Sequence, residues 1–290
     1  MNGVTQMAHP SFVRKLMKER GFNTKKRFGQ NFLVDQNIVK KIVASANLQG
    51  DEWVLEIGPG LGALTTLMAQ EAEQVVAMEI DRDLVAILGE LVLEPNIQIV
   101  EGDALALDWE ELLKKAGWQG QPLKLVANLP YYLTTPLIMK GLESDLPFRE
   151  LVVMVQREVA DRILAEPASK DFGVLSLAVQ YFSEPSLVLK VPRTVFLPAP
   201  NVDSAVVQLK THPPQVDAPR DELFAVIRAS FQQRRKTVRN ALKPLIKEWG
   251  LSSEDLDTAL ERAELESGLR GERLSLEDFN RLTKELLKGV

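Results

Sequence analysis

The chain has 290 residues, 45% of them hydrophobic, 26% charged and 6% aromatic, an ordinary globular composition with room for one large domain or two smaller ones. No apolar run approaches the roughly 18 residues that span a bilayer, the N-terminus lacks the apolar core of a secretory signal, and a chain without cysteine has no disulfide, thiolate metal site or cysteine nucleophile. The net charge of −5 hides two basic segments, with nine Lys/Arg against two acids in residues 1–41 and eight against two in residues 220–247, a pattern of polyanion-binding surfaces as well as of solvated faces.

Along the chain, residues 35–46 predict a helix with Ile38, Val39, Ile42, Val43 and Ala46 on one face and Asp35 as its N-cap. Residues 52–57 predict a strand, 58–62 a glycine-rich turn and 63–72 a helix. Residues 74–80 predict a second strand and 81–91 a second helix. Further strands are expected at 97–103, 123–128 and 150–156, with a helix at 135–143. These strands are continuous apolar runs, as expected when helices cover both faces of a sheet. Their alternation with helices predicts a doubly wound, mostly parallel sheet.

Residues 177–182 fit a helix or a strand. Residues 186–191 and 204–210 predict two strands too close for a helical crossover, hence an antiparallel pair ending the sheet. A proline-rich linker at 211–219 precedes helical patterns at 221–233, 237–249, 253–264 and 275–288, with Ser275 and Asp278 as a capping box. The expected division is therefore 1–212 and a smaller, all-helical 213–290. His9 and His212, the only histidines, each adjoin a proline, so no metal centre is expected.

In an open sheet of this kind, ligands bind beyond the carboxyl ends of the strands. The first of these strands ends in Glu56-Ile57-Gly58-Pro59-Gly60-Leu61-Gly62, where glycine lets the backbone approach a ligand closely. Gly58, Gly60 and Ala63 satisfy the relaxed dinucleotide fingerprint. Glu79 ends the second strand, 21 residues on, where a carboxylate can accept from both hydroxyls of a ribose; NAD and S-adenosylmethionine both carry one. Asp103 ends the third, placed to take the exocyclic amine of an adenine.

The fourth strand ends in Asn128-Leu129-Pro130-Tyr131. Asn128 offers a neutral carbonyl acceptor, Pro130 brings outward-facing carbonyls and Tyr131 a π-face, which together suit a flat base bearing an amino group. Asn128, Pro130 and Tyr131 are the candidate catalytic residues. A nicotinamide dehydrogenase would leave this turn unexplained. A DNA adenine methyltransferase would share it, and a non-catalytic assembly factor would need only the basic segments.

This turn, following the glycine loop and Glu79, resembles the rRNA adenine N6-dimethyltransferases. So do Lys26-Arg27-Phe28-Gly29-Gln30-Asn31-Phe32-Leu33, Phe196-Leu197-Pro198-Ala199-Pro200-Asn201-Val202-Asp203-Ser204 and Phe231-Gln232-Gln233-Arg234-Arg235-Lys236-Thr237-Val238-Arg239-Asn240, over about residues 20–285 in all. The resemblance is to the branch acting on small-subunit rRNA, since the antibiotic-resistance relatives acting on large-subunit rRNA usually lack the helical tail.

It implies a Rossmann-like class I methyltransferase sheet and S-adenosyl-L-methionine as cofactor. Asn31 and Leu33 would close over that cofactor, Gly58 would lie against its methionine end, Glu79 would hold the ribose, Asp103 the adenine, and Asn128 would touch cofactor and target amine alike. Arg234, Arg235, Lys236 and Arg239 would hold RNA phosphates. The implied substrate is two adjacent adenines near the 3′ end of 16S rRNA in an immature 30S subunit; the lack of cysteine fits a cytoplasmic setting, and a monomer is expected.

Overall fold

The computed structural model describes residues 7–20, 30–233 and 235–289. They form two compact units, one of residues 1–160 with 184–211 and one of 161–183 with 212–290.

The first unit begins with α1 (Pro10–Glu19), β1 (Phe32–Leu33) and α2 (Gln36–Ser45). Asp35 caps α2 by accepting from the backbone N–H groups of Asn37 and Ile38. Next come β2 (Trp53–Ile57), α3 (Thr65–Met68), β3 (Gln74–Glu79), α4 (Arg82–Leu91), β4 (Ile97–Glu101), α5 (Trp109–Ala116), β5 (Leu123–Asn128), α6 (Thr134–Glu143) and β6 (Phe148–Gln156). After α7 (Arg157–Ile163) and α8 (Val174–Phe182), the chain returns as β7 (Ser183–Val191), β8 (Phe196–Leu197) and β9 (Ser204–Thr211).

Seven strands form one sheet in the order β4-β3-β2-β5-β6-β9-β7. The pairs β2/β3, β3/β4, β2/β5 and β5/β6 are parallel, and β6/β9 is antiparallel, with Gln156 opposite Ser204. The strand order reverses between β2 and β5, so a crevice opens beyond their carboxyl ends. Ile42 and Val43 of α2 and Met68 of α3 pack with Val54, Val126, Val152 and Val206 on one face of the sheet. On α6, a Cβ added at Gly141 would lie 3.0 Å from Leu151 Cδ2, so glycine allows that helix to approach β6 closely.

Three local differences from the sequence reading have plain causes. The helix expected at 63–72 is only α3, because Gln70 and Glu71 bond to the carbonyls three residues back and tighten the chain out of the α form. The proline-rich 192–203 segment contains β8, which pairs with β1 in a second, two-stranded sheet, Leu33 opposite Phe196. Helix α5 is absent from the expected elements, although Asp108 caps its start and Gly117, at φ +104°, ends it.

The second unit holds α9 (Arg220–Gln232), α10 (Val238–Glu248), α11 (Ser253–Arg262) and α12 (Leu276–Leu287). Ser252 with Asp255 and Ser275 with Asp278 form reciprocal capping boxes. Residues 161–183 belong with these helices rather than with the sheet, unlike the expected single cut after residue 212. The reason is aromatic packing: Phe172 meets Phe231 at 6.2 Å between ring centroids, Tyr181 meets Phe224 at 5.3 Å, and Phe231 meets Phe279 at 6.3 Å. Among the described residues no helix is long and apolar enough to cross a membrane.

Candidate active site

The crevice beyond β2 and β5 is a pocket wholly within the first unit. Gly58, Glu79, Asp103, Asn128, Pro130 and Tyr131 line it, and Asn31 and Leu33 reach it from the N-terminal side. Every residue singled out for cofactor or amine thus converges on one cavity.

The glycine loop leaves β2 at Gly58, whose N–H bonds to the Met78 carbonyl at 2.9 Å. Gly58 and Gly60 hold φ at +69° and +60°, where a side chain is strained, and a Cβ on Gly60 would press to 3.3 Å from Phe32 Cδ1. Glu79 ties this loop to the end of β3. One carboxylate oxygen accepts from Gly60 N–H at 3.3 Å and the other from Asp81 N–H at 2.9 Å. The side chain is 5% exposed, and burial raises its pKa against the pull of those two donors, with the Asp81 charge adding to the rise. Asp81 caps α4 and accepts from Gln30 Nε2 at 2.7 Å, which anchors the segment carrying Asn31.

Asp103 is exposed at the pocket edge and accepts from Leu105 N–H at 2.9 Å. The loop after it is held from below by Lys140 of α6. The Lys140 ammonium donates to the carbonyls of Ala104, Leu105 and Leu107 at 2.9, 2.9 and 2.6 Å and lies 5.0 Å from the Trp109 ring centroid.

Asn128 ends β5, and its half-buried side chain lines the pocket. The Pro130 carbonyl faces the turn. It accepts from Leu133 N–H at 3.0 Å and Thr134 Oγ1 at 3.2 Å, so it is consumed in closing the turn. The Leu129 carbonyl receives no hydrogen bond among the described residues, while its N–H is fixed to the Met154 carbonyl at 3.1 Å. Tyr131 is half-buried, with its hydroxyl 2.7 Å from Ser204 Oγ at the start of β9. Burial pushes its phenol up, and the bond to Ser204 opposes the rise.

Sequence reasoning missed several lining residues. Met7 and Tyr132 are neither periodic nor part of a motif, and both face the cavity. Glu56 also lines it and is fully buried, with Oε2 unpartnered among the described residues. Burial pushes the Glu56 carboxyl up to about 8; the nearby Thr65 hydroxyl opposes the rise and the Glu79 charge adds to it.

A family model described as "Ribosomal RNA adenine dimethylase" matches residues 21–287, nearly the whole chain. The chain belongs to this family. Among its relatives are the ribosomal RNA small subunit methyltransferases A of Alkaliphilus metalliredigens, 43% identical over 97% of this chain and 98% of that one, and of Geobacillus thermodenitrificans, 44% identical over 97% of each. Among solved structures, a dimethyladenosine transferase from Plasmodium falciparum superposes with a TM-score of 0.74 at 27% identity, covering 88% of this chain and 96% of that one. The 23S rRNA methyltransferase ErmE gives 0.67, also at 27% identity, covering 88% and 99%.

The candidate RNA-contacting residues of this dimethylase-family chain lie in the second unit. Arg235 and Lys236 are exposed in the turn between α9 and α10. Arg239, in the first turn of α10, is engaged by Asp257 of α11 through two hydrogen bonds, one of 2.7 Å from its terminal nitrogen, which hold its pKa above the ordinary guanidinium value. Arg234 lies outside the described residues. Among the described residues no group of three or more His, Asp or Glu is arranged to hold a metal ion.

Proposed function

We propose that the chain uses S-adenosyl-L-methionine to dimethylate the exocyclic amines of two adjacent adenines near the 3′ end of 16S rRNA, acting as a cytoplasmic monomer on an immature small subunit. The observation that carries this reading is the opening of the Asn128–Tyr131 turn onto the same pocket as Gly58, Glu79 and Asp103. The small-subunit assignment follows the names of relatives that match at 43–44% identity along nearly their whole length.

The residues present suit the cofactor. A carboxylate has about four acceptor sites, and backbone N–H groups do not fill all of those of Glu79, leaving capacity for a ribose. Asp103 stands exposed in the lining for the adenine amine, and Asn31 and Leu33 line the same pocket. Glu56, buried beside the Gly58 loop with Oε2 unpartnered among the described residues, would give up its proton to face the cationic amino-acid end. When bound, the cofactor supplies an electrophilic methyl group on a sulfonium.

An adenine amine is a poor nucleophile because its lone pair is delocalised into the ring. Asn128 Oδ1 and the Leu129 carbonyl accept its two hydrogens, favour a pyramidal nitrogen and stabilise the positive charge that develops there. Leu129 takes the acceptor role expected of Pro130, whose contribution is to shape the turn. Tyr131 stacks on the base and fixes its approach. The displaced proton passes to water, so no strong base is required.

Calorimetry and methyl transfer test this reading. The chain should bind S-adenosylmethionine and not NAD, and should methylate rRNA and not DNA. Glu79→Ala should weaken the cofactor by about 1.5–3 kcal/mol, the range for a hydrogen bond to a charged group. Unchanged affinity would remove Glu79 from the site. Large-subunit rRNA is the second reading, favoured by the match to ErmE; the identity of the methylated rRNA separates the two.

A further inference from the structure

Two tyrosines follow Pro130, and the structure treats them differently. Tyr131 is half-buried and tethered to Ser204. Tyr132 keeps 52% of its surface exposed, yet it lines the same pocket as Glu79 and Asp103, and its hydroxyl has no hydrogen-bond partner among the described residues. It shares this lining with both carboxylates, and partial burial together with the negative charges of Asp103 and Glu79 raises its phenol pKa. The backbone beneath it is fixed, because the Pro130 carbonyl holds Leu133 N–H and the Thr134 hydroxyl.

We propose that Tyr132 is a further cofactor-binding residue, closing over the adenosine half of S-adenosylmethionine held between Glu79 and Asp103. The inference rests on the cofactor reading above. An aromatic ring left half in water beside two adenosine-directed carboxylates gains by laying its face on a purine, and base–aromatic stacking needs only that shared geometry. The demethylated product carries the same adenosine, so Tyr132 also retains the product. Two transfers to one amine require cofactor exchange between them, and Tyr132 would therefore slow that exchange.

Calorimetry with S-adenosylhomocysteine and with adenosine alone separates the possibilities. The wild-type chain should bind both. Tyr132→Ala should weaken both by a similar factor, about tenfold, since stacking acts on the part they share. Tyr132→Phe keeps the ring and should lose much less. Because the side chain is exposed, the melting temperature of Tyr132→Ala without ligand should match wild type. Failure of the wild type to bind S-adenosylhomocysteine would overturn the cofactor reading itself. Wild-type binding with unchanged affinity in Tyr132→Ala would overturn this proposal alone. So would a loss confined to RNA binding, which would place Tyr132 on the target base.

Discussion

The Tyr131 hydroxyl is hydrogen-bonded to Ser204 Oγ at 2.7 Å, joining the turn after β5 to the first residue of β9, 73 residues away. Ser204 is fully buried, and its place is set by the antiparallel register that puts it opposite Gln156. The ring proposed to stack on the target base is thus held by the sheet. Tyr131→Phe and Ser204→Ala should each cost about 0.5–1.5 kcal/mol in single-turnover methylation, and the double variant no more than either alone. Costs that add would show that the hydroxyl pair does not position the ring.

Glu56 gives the stability of the chain a pH dependence of definite sign. Its carboxyl sits at about 8 in the folded chain against an ordinary 4.5. The folded state therefore retains a proton that the unfolded chain releases. The contribution is complete below the ordinary value and is lost as pH rises through about 8. Glu56→Gln keeps the shape without the proton. Between about pH 6 and about pH 8 the melting temperature of the wild type should fall more steeply than that of Glu56→Gln. Parallel profiles would mean that Glu56 is already ionised in the folded chain.

Lys140 supports the loop that presents Asp103. Replacing it by methionine leaves three carbonyls without their shared donor. Lys140→Met should lose about 1.5–3 kcal/mol of stability, and cofactor affinity should fall because Asp103 is less well placed. A variant with lower melting temperature but unchanged cofactor binding would show that the loop position does not depend on Lys140.

Much of this site is legible in the sequence because strand ends are. Continuous apolar runs mark β2 to β6, and a candidate ligand-binding residue stands at or just beyond the carboxyl end of each of β2, β3, β4 and β5. Side-chain packing between distant segments carries no such mark. Nothing periodic signals that Phe196 pairs with Leu33, that Lys140 reaches back to the loop after β4, or that Met7 walls the cavity. The hydrogen bonding of the turn is not legible either: the sequence shows that proline lacks an N–H but not that Leu133 N–H and the Thr134 hydroxyl take the Pro130 carbonyl. Residues 161–183 read as part of the sheet unit because the decisive pairings, Phe172 with Phe231 and Tyr181 with Phe224, lie at long sequence separation.

The basic turn of the second unit should hold phosphates in a way that is salt-sensitive and indifferent to sequence. Neutralising Arg235 and Lys236 should flatten the dependence of RNA affinity on salt by about 0.7–0.9 log units for each phosphate released. Arg239→Ala should differ, because it also breaks the pair with Asp257 and so lowers thermal stability. An unaltered salt slope in the Arg235/Lys236 variant would remove that turn from the RNA surface.

The central claim is that the pocket beyond β5 holds an adenine amine on Asn128. The most direct test is single-turnover methylation of unmodified small-subunit particles, with the rRNA products resolved by mass spectrometry. Wild type should yield dimethyladenosine at two adjacent positions. Asn128→Ala should make the same products about 10²–10³ times more slowly, by analogy with removing one charge-stabilising group, while still binding small-subunit RNA. No dimethyladenosine from the wild type, or full turnover from Asn128→Ala, would contradict the account.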